Sequence, residues 1–163
     1  MKWQDVDFQW KAITIHDKVE GERTIPLTPF VASLLAALPR RKDREGNPSP
    51  WVFSSPTSAS GRLMESSIQH RRVTAAAGIE GLSLHGLRHS FSTLSEWCEV
   101  PVGVVAQIQG HKPSAIAEKH YRRRPLDLLR QWHEKIEAWI LDQAGVTFQP
   151  SEKFRDIRLA AVS

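Results

Sequence analysis

Strand-like patterning is confined to the first third of this chain, and that confinement decides the fold class. Trp10-Lys11-Ala12-Ile13-Thr14-Ile15 is an aromatic and β-branched run, the composition that suits a pleated, half-buried strand. Glu20-Gly21-Glu22 supplies a turn. Arg23-Thr24-Ile25-Pro26-Leu27 reads as the returning strand, with Pro26 near its end, where a missing N–H does little harm. Trp51-Val52-Phe53 is a candidate third strand. The expectation is an α+β fold, mainly α-helical, in which a small antiparallel sheet built on the Ile13–Leu27 hairpin packs with at least five helices.

The helices are read from caps and apolar spacing. Thr28-Pro29 has the form of an N-cap followed by a first-turn proline, and Val31, Leu34, Leu35 and Leu38 then form one stripe, closed by Pro39. Arg40 to Pro50 is charged and without periodicity, an exposed loop. A second helix is expected from Met64 to Ala77, ended by Gly78, with a basic side made by Arg62, His70, Arg71 and Arg72. The next starts near Leu84 and turns Leu87, Phe91, Leu94 and Cys98 toward the core. Pro101 opens a helix with Val102, Val105 and Ile108 inward and Gly110 at its end. A short helix from about Ser114 carries Tyr121, and Pro125 opens the last, whose buried stripe is Leu126, Leu129, Ile136, Trp139 and Ile140. Residues 1–145 read as one domain and 146–163 as an extended or disordered tail.

Composition adds bounds rather than identity. With 163 residues, 40% hydrophobic and 25% charged, the chain has the make-up of an ordinary soluble domain with a proper core. The single cysteine, Cys98, excludes a disulfide framework and fits a reducing cytoplasm. No apolar run reaches membrane-spanning length and the start lacks a signal-peptide pattern. A net charge of +4 and a pI near 9.5 suit an anionic partner without singling out DNA.

The stretch from Leu84 to Tyr121 carries the chemistry. His85 and Arg88 are three apart and share a helix face, with His89 beside them. Ser83 or His85 lies near the helix start, where free N–H groups and the dipole favour an anion. Arg88 offers a planar fork to two phosphate oxygens, which a lysine cannot match. Gly110-His111 sits at a tight turn that can aim a side chain into a cleft. Cleaving a phosphodiester needs a nucleophile, charge stabilisation on the non-bridging oxygens and a proton for the leaving oxygen. Tyr121, the only tyrosine, supplies the first once a neighbour favours its phenolate. Arg88 and His111 supply the second, and His85 is a candidate for proton transfer. No metal ion or nucleotide cofactor is called for. His85-x-x-x-His89 has the spacing of a zinc pair, but the glutamate of a metallohydrolase and a third ligand are missing from its surroundings.

His85-Gly86-Leu87-Arg88, Gly110-His111 and Tyr121 resemble the second and third boxes of the tyrosine recombinases, the phage integrase family, in which His-x-x-Arg is followed by Gly-His and then by Tyr about ten residues on. The Trp3-Gln4-Asp5-Val6-Asp7 segment ahead of a hairpin also fits. The resemblance implies the catalytic-domain fold of DNA breaking–rejoining enzymes, and site-specific recombination or integration through a 3′-phosphotyrosine intermediate on Tyr121. It implies a lysine on the hairpin as general acid. Lys18, eight residues before Pro26, stands at that offset, an exposed hairpin charge being the alternative reading. Double-stranded DNA is the implied partner and a tetramer on DNA the implied assembly of the parent protein. Arg62, Arg71, Arg72, Lys112, Arg122 and Arg123 are candidate DNA contacts, while His89 and His120 read as neighbours of the site. The family's further arginine, in a helix before the Trp-x-Asp segment, and the acidic residue after it have no counterpart in these residues. The expectation is therefore a C-terminal catalytic fragment, feeble alone. A non-catalytic DNA-binding or assembly module is the alternative.

Overall fold

The computed structural model describes residues 1–17, 21–43, 45–111 and 124–150. Three antiparallel strands form one sheet in the order β1 (Val6–Asp7), β2 (Ala12–Asp17), β3 (Gly21–Pro26). β2 and β3 are the expected hairpin, in register from Ala12 opposite Pro26 to Asp17 opposite Gly21. Directly opposed residues share a sheet face, so Ile13 and Ile25 lie together on the inner side.

The third strand is not the one the sequence suggested. Val6–Asp7 occupies the outer edge of β2, so the Trp51-Val52-Phe53 run meets the residues ahead of β1 instead. The Val52 amide donates to the Met1 carbonyl at 3.3 Å and the Trp3 amide to the Pro50 carbonyl at 2.9 Å. Trp51 makes only a single bridge to Lys2, yet Val52 is buried with the sheet.

Five helices stand among the described residues: α1 (Pro29–Ala37), α2 (Ser67–Ala76), α3 (Leu84–Trp97), α4 (Val102–Gln109) and α5 (Leu126–Gln143). The fold is α+β and mainly helical, as expected. Two apolar clusters fill it. Val6, Ile13, Leu27, Ala32, Leu35 and Val52 join the sheet to α1. Cys98, Val100, Val104, Val105, Ile108, Leu129 and Ile136 join α3, α4 and α5, with Phe91, Trp132, Trp139 and Ile140 at their margin. α5 links the two, packing on β3 as well as on α3 and α4. Arg130 fastens it to the β1–β2 turn by donating to the carbonyls of Lys11 at 2.7 Å and Trp10 at 3.0 Å.

Some stripes are rotated from their expected phase. α1 buries Ala32 and Leu35, leaving Val31 and Leu34 exposed, because a small residue against the sheet lets the helix approach closely. In α4 Val104 takes the inward position and Val102, on the first turn, projects into solvent. Leu87 is likewise exposed, while Cys98 is buried as expected. α2 is shorter than expected and buries none of its side chains. The short helix expected from Ser114 lies outside the described residues. After Gly145 the described chain carries no helix or strand, and Phe148 meets Phe30 edge to face at 5.2 Å. No helix of the described residues is long and apolar enough to cross a membrane.

Candidate active site

Two helix ends define the site. At the start of α3, Ser83 caps the helix, its Oγ accepting from the Gly86 amide at 2.9 Å. This fixes the first turn, so that Arg88 emerges one turn in. At the far end of α4, Gly110 adopts φ +70°, ψ +37°, a left-handed conformation that glycine reaches without a Cβ penalty. The Gly110 amide donates to the Gln107 carbonyl at 3.2 Å and the His111 amide to the Ala106 carbonyl at 2.8 Å. This pair of bonds is the Schellman closure. It turns the chain sharply and delivers His111 at a fixed place just beyond the helix.

The two ends are stapled together by Gln109, which is buried. Its backbone carbonyl accepts from Arg88 Nη2 at 2.5 Å, its Nε2 donates to the Arg88 carbonyl at 2.7 Å, and its Oε1 accepts from Ser92 Oγ at 3.1 Å. Every polar atom of a buried amide is thereby used, which makes such a network rigid rather than costly. Among the described residues Arg88 bonds through one terminal nitrogen, and the remaining N–H groups of its fork suit an anion. A third element reaches the same place. Arg23 of β3 donates from Nη1 to the Ile108 carbonyl at 2.6 Å and from Nη2 to the Gln109 carbonyl at 3.3 Å.

His111 titrates below its ordinary range. Loss of water around the ring is the larger cause, followed by the positive charges of Arg88 and then Arg23. His111 is exposed, and an imidazole kept neutral within the field of two guanidinium groups can donate one hydrogen bond to an oxyanion or exchange a proton with it.

Of the residues singled out in the sequence, Arg88 bonds to the Gln109 carbonyl two residues before His111, and the His111 ring feels its charge. His85 is exposed on α3, three residues before Arg88, with its ring edge-on to His89 at 6.1 Å. Arg71 and Arg72 are exposed on α2, and Arg62 lies over the Trp51 ring at 5.5 Å from its centre. Lys18, Lys112, Tyr121, Arg122 and Arg123 lie outside the described residues, as does His120. No group of three His, Cys, Asp or Glu side chains that could hold a metal ion occurs among the described residues.

The sequence reading passed over Arg23, Ser92, Gln109 and Gln107. Gln107 pairs with the backbone of Arg124, its Nε2 donating to the carbonyl and its Oε1 accepting from the amide, both at 3.0 Å. The described chain thus resumes against α4. A local signal existed only for Gly110; the partners of the other four lie from 17 to 86 residues away.

The chain belongs to the phage integrase family, which it matches over residues 1–125. It is 56% identical over 155 residues to prophage integrase IntF of Escherichia coli (strain K12), a match covering 95% of this chain and 33% of that protein. It is 30% identical over 142 residues to the Integrase of Shigella phage Sf6, covering 86% of this chain and 36% of that protein. The chain therefore spans about a third of the length of these relatives. No solved structure matches it.

Proposed function

We propose that this chain is the catalytic part of a site-specific DNA recombinase of the integrase type, cutting and rejoining strands through a 3′-phosphotyrosine intermediate. The observation that supports the reading is that Arg88 of α3 donates to the Gln109 carbonyl at the end of α4, two residues before His111, whose ring feels the Arg88 charge. In this proposal Tyr121 gives up its phenolic proton to a neighbouring base as its oxygen attacks the scissile phosphorus, the bond from phosphorus to the 5′-oxygen breaks, and the departing oxygen takes a proton. Lys18 is the proposed proton donor and His85 assists proton transfer. Arg88 and His111 hold the non-bridging oxygens as charge shifts onto them. The linkage conserves the bond, so a 5′-hydroxyl can reverse the step without a nucleotide or a metal ion. Residues 1–145 would form the partial catalytic domain with 146–163 as its tail. The parent would act in the cytoplasm as a homo-oligomer, a tetramer on double-stranded DNA.

The second reading, a non-catalytic DNA-binding or assembly module, is favoured by α2, which exposes Arg71 and Arg72 while burying no side chain. One experiment separates the two. The chain, alone and extended upstream with the corresponding part of its Escherichia coli relative, is mixed with a nicked, labelled duplex from the DNA flanking its gene and resolved by denaturing electrophoresis. A covalent adduct is expected, persisting in a chelator and lost in Tyr121→Phe, which keeps the ring but removes the hydroxyl. Arg88→Lys keeps the charge without the fork and should form about a hundredfold less adduct at similar DNA affinity. An adduct surviving Tyr121→Phe removes that residue as nucleophile. Binding with no adduct in any form of the protein leaves the module reading standing.

A further inference from the structure

We propose that Arg23 is a positioning residue of the Arg88–His111 corner, fixing the end of α4 where those two side chains can share one phosphate; this rests on the function proposed above. The contact bridges 85 residues of sequence. It ties the β2–β3 hairpin to the carbonyls of Ile108 and Gln109, which belong to the set that a helix leaves without partners at its C-terminus. A cation there is also favoured by the helix dipole. Arg88 reaches the Gln109 carbonyl from α3, so one oxygen is shared by guanidinium groups from a strand and a helix.

Gly110 carries a second trace of the same arrangement. A Cβ built there would stand 2.5 Å from Arg23 Cζ and 2.6 Å from its Nε, closer than atoms can approach. The glycine therefore does more than permit the left-handed turn: its missing side chain is the space in which Arg23 lies. Two guanidinium groups meeting at one carbonyl also concentrate positive charge at this corner, the sign that favours an approaching phosphate. The direction of the His111 shift, to which both arginines contribute, agrees.

The test follows the His111 ring and amide by NMR in the wild type, Arg23→Gln and Arg23→Lys, across pH and with added duplex, while circular dichroism monitors the fold. In Arg23→Gln the His111 titration should move to higher pH and its amide should exchange faster. The duplex concentration needed to shift the ring should rise by about tenfold, the scale of one charge-assisted contact. Arg23→Lys, which keeps the charge but not the fork, should restore the titration and leave the exchange fast. A folded Arg23→Gln with wild-type titration, exchange and duplex response overturns the proposal. Should Arg23→Gln fail to fold, fast exchange at unchanged titration in Arg23→Lys supports it and wild-type exchange overturns it. A wild-type ring that ignores duplex altogether sinks the DNA reading instead, and the titration and exchange then decide whether Arg23 sets the turn.

Discussion

His133 of α5 makes the interior sensitive to acid. Its ring stands edge-on to Phe91 at 5.7 Å, and its buried Nδ1 has no hydrogen-bond partner among the described residues. Burial lowers its pKa from the ordinary 6.5 to about 4, against the opposing pull of a hydrogen bond to the Pro26 backbone. Between those two values the unfolded chain holds the proton and the folded one does not. Stability is therefore full above pH 6.5, lost as the pH falls toward 4, and level below that. A shift of this size sets an upper scale of about 3 kcal/mol. His111, also lowered, acts in the same sense. Glu134, whose pKa is raised chiefly by burial, acts oppositely, its folded form taking up a proton sooner than the unfolded one. Calorimetry at pH 7 and at pH 4.5 should show His133→Gln losing clearly less stability on acidification than the wild type. An undiminished acid loss would assign it to other groups.

At the scale of elements, the start of α1 shows how far a local pattern can mislead. Thr28 has the sequence of an N-cap, but its side chain makes no cap hydrogen bond. Glu137 of α5 does that work from 107 residues away, accepting from the Phe30 amide at 3.0 Å and from the Val31 amide at 3.2 Å. A carboxylate at a helix N-terminus gains from both the bonds and the dipole. Glu137→Gln should destabilise the protein by about 1 kcal/mol and Glu137→Ala by about 1–2 kcal/mol, measured by denaturant unfolding. An unchanged midpoint in Glu137→Ala would mean that water serves those amides equally well. The same contrast explains what the sequence disclosed. The hairpin, the α5 stripe and the Gly110 turn were legible because each is written in neighbouring residues: alternation, 3.6-residue spacing, a glycine at a helix end. The phase of α1 depended on which face the sheet accepts, and the fate of Trp51–Phe53 on β1 having taken the edge of β2. Arg88 and His111 could be singled out because their motifs are local. Arg23 could not, because alternation along a strand states which face a side chain takes and nothing about the helix end it will touch.

At the scale of the whole molecule, charge and apolar surface argue for different partners and can be separated. The net charge is +4, and Arg62, Arg71 and Arg72 are exposed. The same region also exposes Met64, Ile68, Val73 and Ile79, and α2 covers none of its own side chains. If the partner is a nucleic-acid backbone, binding releases counterions, and the logarithm of the affinity falls with the logarithm of salt by about 0.9 for each phosphate neutralised. Removing two phosphate-contacting arginines should then flatten that slope by nearly two while weakening all sequences alike. We expect this of the double variant Arg71→Gln, Arg72→Gln, titrated against a labelled duplex at several salt concentrations. Both positions are exposed on a helix that buries nothing, so the variant should fold as the wild type does. If the α2 surface instead receives a protein or a second copy of this chain, the apolar side chains carry the association, which salt weakens little or not at all. In that case the double variant would leave the salt slope unchanged, and Ile68→Ser with Val73→Ser would abolish the contact. A steep slope that the arginine variant leaves intact would move the DNA-facing surface away from α2 and toward the Arg88–His111 corner.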